Sequence, residues 1–385
     1  MDMEKGLNRN KNRLNSLDGL RGWAALSVVL GHLTINITPF NYLLLTPLTD
    51  TKLAVGVFFI ISGFVLSYRF IGQRMELVTL CKAIIARYAR LTIPIAVVSL
   101  LVLFFGFYLS LLHNVEANAI EPKLGLGSFY AFTPSFTDAL KFSFWDVYVH
   151  FDNNHTYIPP SWTMGLELRG SYFIYAIVFL FGLFNYGNQR RLFASILGVL
   201  ALLAYHVHYH WSVYFLCGYL LAEFYKSDIT STQTPPNLPI AFLGFVVLMI
   251  FSSWRSPERS LFLPMVGMSL VAVWSVLYSQ RLSAFFSNNL SRFLGKISFP
   301  LYLIHAPIYC TFSSWLLTWL HGFGFTPLTT YSIVYVSSVL LAIVCACLLY
   351  PVELLAINVS RRINAFSLHI LISSLFLRTK TEVEA

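Results

Sequence analysis

Residues 53–71 read LAVGVFFIISGFVLSYRFI, nineteen residues interrupted by a single charge at Arg69. As a helix this run rises about 28 Å at 1.5 Å per residue, close to the ~30 Å hydrocarbon core of a bilayer. Working outward, similar stretches lie near 19–38, 91–112, 162–184, 192–209, 211–225, 238–253, 261–279, 298–320 and 328–353. The 211–225 stretch is short, and its border with 192–209 is the least sharply drawn. Composition agrees: 57% of residues are hydrophobic and 11% charged, whereas soluble domains carry about 25% charged residues. Runs this long do not alternate as barrel strands do, so helices are the spanning solution. The expected fold is all-α, a polytopic bundle of about ten transmembrane helices.

Charge distribution orients that bundle. With ten spans and a cytosolic N-terminus, all but six of the 26 Lys and Arg residues fall inside, the six being Lys52, Lys123, Lys141, Arg169, Arg255 and Arg259. This is the positive-inside asymmetry, and it accounts for the net charge of +9 without a nucleic-acid partner. Residues 1–15 then form a cytosolic arm, 16–360 the membrane domain and 361–385 a cytosolic tail. No small-residue cleavage site follows a short apolar region, so the first helix is expected to stay uncleaved. The five cysteines show neither a disulfide framework nor metal spacing. His206, His208 and His210 alternate along a short turn, but a helix would scatter them, and no metal site is expected.

The long connection over 113–160 is placed outside. Within it Phe129, Phe132, Phe136, Leu140, Phe144 and Val147 recur at spacings of three and four, an amphipathic helical stripe for the interface or for a cavity mouth. The outer sequons are Asn36-Ile37-Thr38 and Asn154-His155-Thr156, and the second lies farther from the bilayer. From Ile363 to Leu377 the tail is apolar but too short to span comfortably, and is expected to lie along the cytosolic interface.

Ionisable groups inside a membrane are costly and are candidates for function. Arg21 and His32 stand eleven residues apart, about 16 Å along a helix. That spacing puts Arg21 at the cytosolic edge and His32 well within the hydrocarbon layer. A neutral imidazole there can accept a proton near neutral pH, although a lone histidine in a span also serves as packing. Trp162 opens the 162–184 stretch, Ser161 is placed to cap it, and Glu167 lies about one to two turns in. Two roles are open to it: to orient or protonate His32, or to hold a hydroxylated acceptor. Arg87 and Arg90 share one helical face and, with Arg21, suit phosphates through their planar forks. Tyr302 and His305, three apart, share a face just before Pro307.

Together these elements resemble the acyltransferase-3 family of membrane O-acyltransferases. The matching segments are Leu17-Asp18-Gly19-Leu20-Arg21-Gly22-Trp23-Ala24 with His32 following, Val57 to Phe64, Arg87 to Pro94, Trp162 to Glu167, and Ile297 to His305. They stand in the family's order and cover nearly the whole chain, and the stretch from Thr163 to Tyr172 resembles the fungal branch. Two departures stand out: bacterial members usually carry an acidic residue where Gly56 stands, and another where Leu168 to Ser171 stand.

The resemblance implies transfer of an acyl group, usually acetyl, from acyl-CoA to a hydroxyl of a carbohydrate, lipid or small metabolite. It implies His32 as the catalytic histidine, acting as general base or acyl carrier. Arg21, Arg87 and Arg90 would meet the phosphates of the donor, and Glu167 would serve the acceptor side. Asp18, Trp162, Tyr302 and His305, within the matched segments, and Ser161, just before one of them, are the expected substrate contacts. The implied partners are acyl-CoA as co-substrate, an acceptor alcohol and membrane lipid, with no metal. A solute transporter is the rival, but it would be expected to show repeats and paired broken helices, which this chain does not show.

Overall fold

The structure, a computed structural model, describes residues 2–37, 46–120, 126–183, 211–232, 237–254 and 262–366. The described residues are mostly helical, and none of them lies in a strand. The principal helices are α1 (Asp2–Asn36), α2 (Thr51–Tyr68), α3 (Leu77–Leu101), α4 (Trp162–Leu183), α5 (Ser212–Thr232), α6 (Pro239–Trp254), α7 (Phe262–Tyr278), α8 (Gln280–Phe286), α9 (Asn289–Ile308), α10 (Ser314–His321) and α11 (Pro327–Ala365). Local chemistry sets several of their ends. Asp50 caps α2 by accepting from the Leu53 amide at 3.0 Å, and Asn288 caps α9 from the Ser291 amide at 2.7 Å. Thr326 and Pro327 open α11, the proline at a position where its missing N–H costs nothing. After Pro307 the backbone widens into a π-helical turn over Tyr309–Ser313 before α10 begins.

The expected spans that fall on described residues lie mainly on helix, although 53–71 and 91–112 run past the helix ends at Tyr68 and Tyr108, and 192–209 lies outside the described residues. Length and apolarity alone mark four helices as able to cross a membrane: Thr51–Tyr68, Leu77–Tyr108, Pro159–Gly182 and Pro327–Ala365. A fifth is reached if α7 and α8, bent by 96°, count as one. Among the described residues that measure therefore gives four to five spans, not the expected ten. Polar side chains interrupt α1 at Arg21 and His32 and α9 at Lys296 and His305; His305 is fully buried, Arg21 and His32 are partly buried, and Lys296 is exposed.

Helix directions follow from which residues meet. α1 and α9 run parallel in a constant register, since Gly22 meets Gly295 and His32 meets His305, both pairs 273 residues apart. α4 and α5 also run parallel, with ring contacts from Trp162 to Trp211 and from Phe181 to Tyr219. α3 and α4 are antiparallel, Arg87 meeting Ser171 while Ile84 meets Tyr172.

The stripe expected from Phe129 to Val147 is not one helix. Ser135, accepting from the Asp138 amide at 3.1 Å, starts helix only at Phe136. Phe132 lies before that cap and packs its ring on Tyr157 and His155. Beyond the cap the segment is amphipathic, with Ala139, Phe142 and Val147 buried and Phe136 and Phe144 exposed.

Candidate active site

Glycine determines how closely α1 and α9 approach. A Cβ on Gly22 would stand 2.3 Å from the Gly295 nitrogen, and one on Gly295 would stand 2.5 Å from the Asp18 carbonyl oxygen. The two backbones are therefore in direct contact, as small residues permit between membrane helices. Ten residues further along both helices, His32 Nδ1 lies 2.9 Å from His305 Nε2, with the rings stacked 17° from parallel. Tyr309 fastens the same seam by donating to the Val29 carbonyl at 2.8 Å.

His305 is fully buried. His32 faces a cavity of about 160 Å³ that Asn36, Pro160, Trp162 and Tyr309 also line. The Asn36 amide donates to the His32 carbonyl at 2.8 Å, so this sequon residue is tied into the helix beside the cavity. With Nδ1 committed to His305, Nε2 is the His32 nitrogen left for chemistry. If the shared proton sits on His32 Nδ1, Nε2 carries a lone pair and acts as a base.

A second cavity, of about 110 Å³, gathers Arg21, Arg87, Arg90 and Glu167 above apolar side chains such as Phe58 and Phe299. The turn joining Arg87 and Arg90 is formed within α3, and both side chains reach this cavity. Glu167 accepts from Ser62 Oγ at 2.5 Å and is paired with Arg87 Nη2. Arg87 Nε also donates to Ser171 Oγ at 2.9 Å, which in turn donates to the Glu167 carbonyl at 2.7 Å. Glu167 thus binds α2 and α3 to α4, and it is Arg87, not His32, that it meets. Arg90 is paired at 2.6 Å with Glu353 of α11.

Tyr302 stands between the two cavities. Its hydroxyl donates to the Pro160 carbonyl at 2.5 Å and lies 2.6 Å from Thr163 Oγ1. Tyr302 and Thr163 face the arginine cavity, while Pro160 faces that of His32. One hydrogen-bonded wall therefore separates the cationic groups from the histidine.

The remaining expected contacts are less central. Asp18 is exposed and pairs with Arg21 at 3.2 Å, one turn away on the same helix. Ser161 is buried, and its hydroxyl donates to the Ile158 carbonyl at 2.6 Å instead of capping α4. Trp162 is partly exposed and lines the His32 cavity. His206, His208 and His210 lie outside the described residues. The departure at Gly56 has a steric account: a Cβ there would meet Ser269 Oγ at 2.3 Å and the Tyr214 ring at 2.6 Å, so an acidic side chain has no room. Glu353, an ionisable group at the end of the 328–353 stretch, is not among the expected site residues, although a carboxylate on an apolar helix is the signal that also marks Glu167.

A family model described as an acyltransferase domain matches residues 14–349. No curated protein matches the chain, and no solved structure does. The matched span takes in both cavities, the paired histidines and all three arginines, and the chain is a member of the acyltransferase-3 family, a membrane-type acyltransferase.

Proposed function

We propose that the chain moves a short acyl group, acetyl in the first instance, from acyl-CoA to a hydroxyl of a carbohydrate, lipid or small metabolite. The observation that carries this reading is the His32–His305 pair beside a cavity lined by three arginines. The arginines offer planar N–H forks to the donor's phosphates. The thioester end of the donor then lies toward Tyr302, and the acceptor alcohol occupies the His32 side with Asn36 and Trp162.

His32 Nε2 takes the hydroxyl proton as the alcohol oxygen attacks the thioester carbonyl. The resulting tetrahedral intermediate collapses by breaking the C–S bond, and the proton passes to the departing thiolate. His305 holds the His32 ring in orientation, as the third member of a nucleophile–base–orienter set does. An acyl-His32 intermediate is the runner-up chemistry, and Nε2 is also the nitrogen that would carry the acyl group.

The same reading places both chain termini in the cytosol with about ten spans. It is supported by helix direction: α1 parallel to α9 fits first and ninth spans, and α4 parallel to α5 fits a returning span between them. The segment from Thr163 to Tyr172, which resembles the fungal branch, supplies Glu167 and Ser171 to the Arg87 cluster.

Acyl-CoA turnover by the purified full chain, read as thiol release, tests the proposal. His32→Ala should abolish turnover, and an acceptor screen should then raise the rate of the unaltered protein. Unchanged turnover in His32→Ala would remove His32 from the mechanism. Intact mass after exposure to acyl-CoA alone separates the two chemistries, because only the runner-up leaves an acyl increment on His32.

A further inference from the structure

The inward face of α11 is a stripe of Val334, Ser338, Ala342, Ala346, Leu349, Glu353 and Ala356, spaced three and four apart. One member, Glu353, is a carboxylate where the pattern calls for an apolar or small residue, and it is 4% exposed. A buried carboxylate on a membrane helix is costly unless paired. Its partner is Arg90, through a single approach of 2.6 Å from Nη1 to Oε1.

The two carboxylates that meet arginines in this region differ in placement. Glu167 is itself part of the wall of the arginine cavity, so an anion entering there competes with it for Arg87. Glu353 is not part of that wall, whereas Arg90 is. Glu353 therefore holds the guanidinium from behind. A guanidinium has five N–H donors in a planar fork, so a one-point contact at Nη1 leaves others to present toward the cavity. Arg21 and Arg87 line the same cavity and repel Arg90. Without its counter-charge, Arg90 would be driven out of this poorly solvated site.

We propose that Glu353 is a positioning residue for the acyl donor, holding Arg90 at the cavity wall where the guanidinium takes a donor phosphate. This rests on the acyl-CoA reading given above. Arg90 is then the preformed donor anchor, and Arg87 becomes available only when Glu167 releases it.

The test is steady-state kinetics on the purified full chain with acyl-CoA as the varied substrate, comparing Arg90→Ala, Glu353→Gln, Glu353→Asp and the Arg90→Ala/Glu353→Gln pair. Arg90→Ala and Glu353→Gln should each raise the KM for acyl-CoA about tenfold, with kcat within about threefold. Glu353→Asp should recover part of the loss, and the double variant should be no worse than Arg90→Ala alone. If Arg90→Ala raises the KM but Glu353→Gln only lowers the thermal midpoint, Glu353 is structural glue and the inference is overturned. An equal further rise in KM when Glu353→Gln is added to Arg90→Ala also overturns it. If Arg90→Ala leaves the KM unchanged, it is the assignment of this cavity to the donor that fails, and the role of Glu353 fails with it.

Discussion

His32 Nδ1 and His305 Nε2 lie 2.9 Å apart on two parallel helices whose backbones touch ten residues earlier, at Gly22 and Gly295. The contact leaves one nitrogen of His32 for chemistry and holds the ring in one plane.

Removing His305 should therefore damage the chemical step rather than donor binding. His305→Ala frees the His32 ring to turn, and a misplacement of about 1 Å can cost a factor of ~10² in rate. We expect kcat to fall by about that factor with the donor KM little changed. His305→Gln, whose amide oxygen can still accept from Nδ1–H, should recover part of it. Thiol-release kinetics on both variants would show this. Equal losses from Ala and Gln would mean that packing, not the hydrogen bond, is what His305 supplies.

The glycine seam should control the same distance from afar. Gly295→Ala puts a methyl group 2.5 Å from the Asp18 carbonyl oxygen, a backbone atom that cannot rotate away. The helices must separate or slide, at about 1–3 kcal/mol for overpacking. Turnover should fall by about tenfold or more although every polar group is retained, and the thermal midpoint should drop. Wild-type turnover by Gly295→Ala would show that the register is set elsewhere.

How much of this was readable in the chain differs residue by residue. The helical class followed from runs such as 53–71, because a bilayer sets their length and apolarity. Arg21, Arg87 and Arg90 stand out as forks at the cytosolic edge and Glu167 as a charge in an apolar stretch, and one cavity does collect them. Periodicity gives the face of a helix but not its neighbour, so a partner 273 residues away from His32 could not be read. For the same reason Glu167 could be given to His32 when its true neighbour is Arg87. The stripe expected from Phe129 extends further than the helix, which starts only at Phe136. Spacing alone does not register that Pro134 and the Ser135 cap begin the helix afterwards. Glu353 was lost at the edge of its stretch, where a charge reads as a boundary.

Tyr302 should govern passage between the cavities. Its ring is 5% exposed, and its hydroxyl ties Pro160 to Thr163 across the wall. Tyr302→Phe removes both bonds and leaves the Pro160 carbonyl without this donor, at about 1–3 kcal/mol for an unsatisfied buried group. Tyr302→Ala removes the wall itself. We expect the first to lower turnover several-fold without altering donor choice, and the second to shift preference toward longer acyl chains. A chain-length series from acetyl-CoA upward measures it. An unchanged profile in Tyr302→Ala would show that acyl length is selected elsewhere.

The Arg87–Glu167 pair should be worth more for what its loss exposes than for what it adds. Both side chains are largely buried, 17% and 9% exposed, and each has a further partner, Ser171 for Arg87 and Ser62 for Glu167. Removing one member strands a buried charge, at about 3–5 kcal/mol, whereas removing both strands none. Glu167→Ala should therefore lower the thermal midpoint more than the Arg87→Ala/Glu167→Ala double variant. Activity should not follow that order: the double variant regains stability yet lacks Arg87, which the proposed function gives to the donor phosphates, and remains inactive. Thermal unfolding in detergent paired with turnover separates the two quantities. A double variant less stable than Glu167→Ala would show that Arg87 is held by Ser171 and its surroundings without need of Glu167. A double variant that regained turnover along with stability would confine both Arg87 and Glu167 to a structural part.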